Sequence, residues 1–251
     1  MPARPSPGVT IVTGAAQGIG EAIAARLVAD GGQIVVLDVS PTVEETARRL
    51  GAVGAVRVDV TDVAGLQDAV HRVADEHGGL DTLVNCAGTC GRESFEDLSL
   101  ATWHLDLDTN LTAAAFACQA AVFPHMRGQG SGRLVNISSV SGKVGGVGPV
   151  VPEGTGGRSG AAYVSAEAGT INLTRWIARQ VGAWGITCNA VAPGPIASPM
   201  AAGAEYGVSG LPVARMGTPA EVAAAVAYLV GRDSGYTTGT CLHVDGGMVL
   251  A

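Results

Sequence analysis

Tyr163 and Glu167 stand four residues apart in the run A-A-Y-V-S-A-E-A-G. On a helix that spacing sets a phenol and a carboxyl side by side on one face. A phenol can give a proton to a substrate oxygen or take one from it, but with a reference pKa near 10 it must be helped to ionise before it acts as a base. A carboxylate neighbour works the other way. At about 5 Å and an effective dielectric of about 20, the repulsion between the two anions is roughly 3 kcal/mol, or about two pKa units.

A second constellation lies near the start of the chain. The run T-G-A-A-Q-G-I-G places Gly14, Gly18 and Gly20, with Gln17 and Ile19 between them, where an apolar strand passes into a helical segment. Glycine lets a backbone approach a pyrophosphate, and the N-terminus of the following helix offers free N–H groups and a positive dipole. Asp38 ends the next strand, about 20 residues on, where a carboxylate can accept both adenosine ribose hydroxyls. The same charge repels a 2′-phosphate, and neither Gln17 nor Val39 supplies a cation, so the expected cofactor is NAD rather than NADP.

The elements that must hold these groups follow from the hydrophobic pattern. Short β-branched runs at 9–13, 33–38, 55–60, 81–85, 133–137, 186–191 and 241–244 predict seven strands. Segments of helical period at 21–29, 63–76, 111–126, 168–181 and 220–230 lie between them. Apolar strands alternating with helices predict an α/β fold of the Rossmann type: a doubly wound, seven-stranded parallel sheet with helices on both faces. No linker or repeat divides the chain, so one domain over 1–251 is expected. Two glycine- and proline-rich stretches, 144–160 and 193–212, interrupt the alternation and are expected to border a ligand site.

Composition narrows the partners. The 251 residues carry a net charge of -7 and 47% hydrophobic residues, which leaves no basic face for nucleic acid or an anionic membrane. No run is long and apolar enough to span a bilayer, and the opening M-P-A-R-P-S-P-G has proline where a signal peptide needs an apolar stretch. A cytoplasmic protein with reduced thiols at Cys86, Cys90, Cys118, Cys188 and Cys241 is the expectation, with no metal site among its cysteines or five histidines.

Taken together and in order, T-G-A-A-Q-G-I-G, D-V-T at 59–61, N-C-A-G at 85–88, N-I-S-S-V-S-G at 136–142, Tyr163, N-A-V-A-P-G at 189–194 and V-D-G-G at 244–247 resemble the short-chain dehydrogenase/reductase family over nearly the whole chain. The resemblance implies that Asp59 and Val60 flank the adenine, that Asn85 ties neighbouring strands, and that Ala87 and Gly88 lie along the cofactor. It also implies that Pro193, Gly194 and Ile196 border the nicotinamide, with Ser198 where the family usually has a threonine. Of the family's four catalytic groups, three have counterparts: Asn110 in D-T-N-L-T, which bends its helix and holds a water; Ser139, which bonds the substrate oxygen; and Tyr163, the acid/base. The fourth is a lysine that lowers the phenol's pKa and grips the nicotinamide ribose. Glu167 occupies its position and reverses the charge, though a carboxylate can still accept hydrogen bonds from ribose hydroxyls.

A second departure is the separation of Ser139 and Tyr163, about ten residues longer than is common in the family, which makes 144–160 a substrate-side flap whose charges are Glu153 and Arg158. Lys143, the chain's one lysine, is a candidate substitute cation. The implied activity is hydride transfer between NAD(H) and a secondary alcohol or ketone, in a homotetramer or homodimer. Because of Glu167 two alternatives stay open: a non-redox dehydratase, cyclase or epimerase, and an NAD-binding protein with little turnover.

Overall fold

The computed structural model describes residues 8–147, 159–202 and 206–250. Seven parallel strands form one sheet in the order β3-β2-β1-β4-β5-β6-β7. They are β1 Val9–Thr13, β2 Gln33–Asp38, β3 Gly54–Arg57, β4 Leu80–Asn85, β5 Gly132–Ile137, β6 Ile186–Pro193 and β7 Cys241–Val244. The order reverses between β1 and β4, so their connections leave on opposite sides and open a crevice at the strands' carboxyl ends.

Alternation along the strands supplies both faces of the sheet. On one face Val35 and Leu37 of β2, Leu83 of β4 and Leu134 of β5 pack on three helices: α3 (Val63–Glu76), α5 (Ala113–Ala120) and α8 (Ala161–Val181). On the other, Ile34 and Val36, Val84 and Val135 meet α1 (Gly18–Ala29), α2 (Val43–Leu50) and α9 (Pro219–Val230). Side chains one residue apart point to opposite faces, so apolar runs without polar interruption are what a sheet covered twice requires.

Several bounds differ from the sequence reading. β3 ends at Arg57 rather than at 60, and Asp59 and Val60 lie in the connection beyond it. The helix expected from 111 starts at Leu100 as α4 (Leu100–Leu107), with Ser99 accepting an N–H of its first turn from Thr102. It continues through a π-helical turn at Asp108–Thr112 and α5, then breaks at Phe123, whose backbone is extended before Pro124, and ends in the short α6 (Arg127–Gln129). A π-helical turn admits an extra residue and bends the helix, and Asn110 sits inside this one. Past Ser139 the chain forms a short helix, α7 (Ser141–Val144), leading into the glycine-rich stretch. The expected flap falls largely on 148–158, outside the described residues.

Asn85 and Asn136 face each other in register on β4 and β5, and both are buried. Asn85 Nδ2 donates to Asn136 Oδ1 at 2.9 Å, and Asn136 Nδ2 donates to Thr174 Oγ1 of α8 at 2.9 Å. The pair therefore joins the sheet to the helix that carries Tyr163. Replacing Asn136 by Ala removes both bonds between buried groups, leaves Asn85 Nδ2 with only the longer contacts to Ala114 O at 3.5 Å and Cys118 Sγ at 3.4 Å, and is expected to cost about 3 kcal/mol. Thermal unfolding followed by circular dichroism should show a midpoint about 6–12 °C lower.

Candidate active site

A cavity of about 470 Å³ opens at the crevice between β1 and β4. Gly14, Gln17, Gly18, Ile19, Gly20, Asp38, Asp59, Val60, Ala87 and Gly88 line it, as do Asn110, Ser139, Tyr163, Glu167, Pro193, Gly194, Ile196 and Ser198. Of the residues singled out in the sequence, Asn85 stays behind this wall in the strand ladder described above. Lys143 is exposed on α7 and lines no part of the cavity, so it does not replace the absent cation. Among the described residues no three His, Cys, Asp or Glu side chains converge in a metal-binding group.

At one end, the chain leaves β1 through a turn that only glycine fits. Gly14 has φ +65°, and a Cβ there would lie 2.6 Å from Ala87 Cα. At Gly20 the same atom would lie 2.1 Å from the Gly14 carbonyl oxygen. The close crossing of the two connections is held by the buried Thr13 Oγ1, which accepts N–H bonds from Cys86 at 3.0 Å and Ala87 at 3.1 Å. Asp38 braces the turn from the side: its carboxylate accepts from the main-chain N–H groups of Ala16 and Ser40, each at 2.9 Å. What remains is a glycine cradle at the start of α1 with a carboxylate beside it, which fits a dinucleotide's pyrophosphate and ribose.

In the middle of the cavity wall, Asn110 fixes the segment after β4. Its Oδ1 accepts from Thr89 N–H and its Nδ2 donates to the Thr89 carbonyl, both at 3.0 Å. One turn earlier lies Asp106, a buried carboxylate that the sequence reading passed over. It accepts from Thr89 Oγ1 at 2.7 Å and from Gly91 N–H at 2.9 Å. The Gly91 carbonyl then receives the N–H of Gly160 at 2.8 Å, immediately before α8. The one clue in the sequence was an acid four residues before Asn110, a spacing that shares its helix face. The main-chain carbonyl of Asn110 accepts Thr170 Oγ1 of α8 at 3.0 Å.

At the far end, Tyr163 and Glu167 line the cavity from the first two turns of α8, beside Ser138 and Ser139. The close approach of α7 demands Gly142, where a Cβ would meet Glu167 C and Ala168 N, each at 2.6 Å. Ser138 Oγ donates to the Glu167 main-chain carbonyl at 3.0 Å and lies within reach of its carboxyl. Glu167 is 4% exposed, and its Oε2 has no hydrogen-bond partner. Burial pushes its pKa up to about 8, with hydrogen bonds from Ser138 and Tyr163 pulling down and the charge of Asp106 pushing up. Tyr163 is held well above the usual phenol value, first by burial and then by Glu167, while its hydrogen bond to Ser139 opposes both. Near pH 7 the corner therefore contains a neutral phenol beside a largely protonated carboxyl. Cys86 and Cys90 border it as thiols, pushed by burial up to about 12 and about 11.

Residues 14–249 match a family profile described as enoyl-(acyl carrier protein) reductase. The chain belongs to the short-chain dehydrogenase/reductase family. Within that family of oxidoreductases it is 37% identical over 249 residues to cis-4-hydroxycyclohexanecarboxylate dehydrogenase of Sinomonas cyclohexanicum, covering 95% of each chain. It is 35% identical to 3-oxoacyl-[acyl-carrier-protein] reductase FabG of Vibrio cholerae, covering 96% of this chain and 97% of the other. The ligand-free aldohexose dehydrogenase of Thermoplasma acidophilum superposes with a TM-score of 0.80 at 31% identity, covering 96% of this chain and 93% of that one. Like these short-chain dehydrogenase/reductase relatives the chain is wound on a Rossmann-type sheet, and no helix among its described residues is long and apolar enough to cross a membrane.

The raised pKa of Glu167 has a measurable consequence for stability. Between its ordinary value of 4.5 and about 8, the folded chain keeps a proton that the unfolded chain releases, so the contribution of this group falls as pH rises through that window. Each unit corresponds to about 1.4 kcal/mol, and the whole window to several kcal/mol. Glu167→Gln should remove this slope. Urea unfolding of both proteins at matched pH is expected to give similar stability near pH 5 and a variant more stable by about 3 kcal/mol or more near pH 8.

Proposed function

We propose that the chain is an oxidoreductase that transfers a hydride between NAD(H) and a secondary alcohol or the matching ketone. The observation that carries this reading is one cavity joining a glycine cradle and a ribose-facing carboxylate at one end to Tyr163 and Ser139 at the other. When bound, the nicotinamide ring accepts or supplies the hydride at the substrate carbon. The glycines at 14, 18 and 20 and the start of α1 hold the pyrophosphate, Asp38 the adenosine ribose, and Pro193, Gly194, Ile196 and Ser198 border the nicotinamide.

Ser139 holds the substrate oxygen and Tyr163 exchanges its proton. As a neutral phenol, Tyr163 can protonate an oxygen that gains charge during carbonyl reduction. In alcohol oxidation its own proton needs an acceptor as it takes that of the carbinol, and Glu167, once ionised, is the carboxylate within hydrogen-bonding reach to take it. Asn110 and Asp106 hold the wall between the two ends. The named substrate of the Sinomonas relative is itself a secondary alcohol. NAD is favoured over NADP because Asp38 would face the 2′-phosphate and the adjoining Val39 carries no charge.

Two acids side by side, phenol and carboxyl, also favour a second reading: proton transfer without redox, as in a dehydratase, cyclase or epimerase. The partner in assembly is a second copy of the chain, since Leu105, Phe116 and Trp176 are exposed on α4, α5 and α8. Cytoplasmic location completes the proposal.

Two measurements check the reading. A panel of cyclic and linear secondary alcohols and ketones, followed at the nicotinamide absorbance band, should include a substrate whose turnover falls about thousandfold in Tyr163→Phe with NADH binding retained. Conversion of a compound without any absorbance change would favour the non-redox reading instead. Titration of NADH and NADPH fluorescence should show a preference for NADH that shrinks by about tenfold or more in Asp38→Ala.

A further inference from the structure

The buried carboxyl of Glu167 is the feature that the proposed reaction least explains. One of its oxygens has no partner, the residue is nine-tenths or more enclosed, and it lines the cavity beside the acid/base tyrosine. Enclosing an unpartnered polar atom costs free energy unless a ligand completes it. The ligand's position is constrained by chemistry. Hydride and proton leave adjoining atoms of a carbinol, so the nicotinamide ring must lie close to the atom that exchanges a proton with Tyr163. Glu167, one helical turn along the same face, then stands at the nicotinamide end of the dinucleotide.

The oxidised ring carries a positive charge and the reduced ring carries none, whereas the ribose hydroxyls are the same in both. We infer that Glu167 reads the redox state of the cofactor: it binds the oxidised dinucleotide as a carboxylate, releasing its proton to solvent, and favours that form over the reduced one. This rests on the proposed nicotinamide site and deepens it. The charge that a lysine would bring from the protein is brought here by the ring.

The surroundings leave Glu167 as the group able to respond. Tyr163 on its own helix, Cys86 and Cys90 after β4 and Cys241 on β7 are all raised and stay neutral near pH 7. Asp106 of α4 faces it with like charge, which favours the protonated acid until a cation arrives. Asp38 bears on Cys86 and Arg92 on Cys90, while Lys143 and Arg175 bear on Cys241 at the sheet's edge. Among the described residues no histidine lines the cavity. A cation placed against the free carboxyl oxygen lowers the pKa of Glu167 from about 8, so the proton is lost between that value and the lower value of the complex.

The test is isothermal titration calorimetry of the full chain with NAD+ and NADH, and in parallel with NADP+ and NADPH, in buffers of different ionisation heat between about pH 6 and 8. The expected result is release of close to one proton per oxidised dinucleotide near pH 7, and an affinity for it that rises by up to tenfold per pH unit below about 8. The reduced partner should release clearly less, with a shallower slope. Glu167→Gln, checked for folding by circular dichroism, should abolish the release and shift the oxidised-to-reduced affinity ratio by about tenfold toward the reduced form. Equal proton release by both redox forms of the wild-type chain would overturn the inference while leaving the nicotinamide site standing, and so would release that persists in Glu167→Gln. If none of the four dinucleotides binds, the proposed function falls as well.

Discussion

The crossing of two chain segments where β1 and β4 part company governs the rest of the structure. Gly14 passes within touching distance of Ala87, and Thr13 holds the crossing with two main-chain hydrogen bonds to one hydroxyl. Because the sheet reverses there, the turns after β1 and β4 must diverge, and a long ligand in the crevice between them can touch both halves of the sheet. A side chain at position 14 would push those connections apart. The same crossing sets where Gly88 and Thr89 run, and Asn110 and Asp106 grip the latter. Gly91 passes the register on to the start of α8. Tyr163 is thus placed by a chain of contacts that begins at the glycine turn.

Against that ordered frame the electrostatics of the far end stand out. A lysine at the position of Glu167 would make the phenol easier to ionise by mutual attraction. The carboxyl does the opposite, and burial compounds it, because desolvation disfavours both anions at once. The outcome is a corner that rests uncharged. Folding does not have to enclose an ion pair there, whose dehydration commonly outweighs its attraction.

Legibility in the sequence followed the strength of local signals. β2 and β7 run over the residues expected because they are short apolar segments bounded by turn residues, and α3 because its apolar residues recur at helical spacing. α2 was missed: V-E-E-T-A-R-R-L buries a narrow stripe and is mostly polar. The first two turns of α8 lay outside the periodic segment at 168–181, because tyrosine, valine and serine are weak helix formers, although the four-residue spacing of Tyr163 and Glu167 had already set both on one helix face. They are held by packing that no local window contains, with Gly142 against Glu167. The cavity residues were readable because their motifs are contiguous. Asp106 was not, since its partners Thr89 and Gly91 lie in another segment and its burial depends on how the two meet.

The two ends of the segment that precedes α8 are clasped to each other. Ser141 and Ser159 share a hydroxyl hydrogen bond at 2.9 Å, Val147 N–H reaches Ser159 Oγ at 3.4 Å, and Gly160 is tied separately to Gly91. The clasp therefore acts as a socket. Tyr163 keeps its place because the turn before its helix is fastened on two sides, to α7 and to the segment after β4.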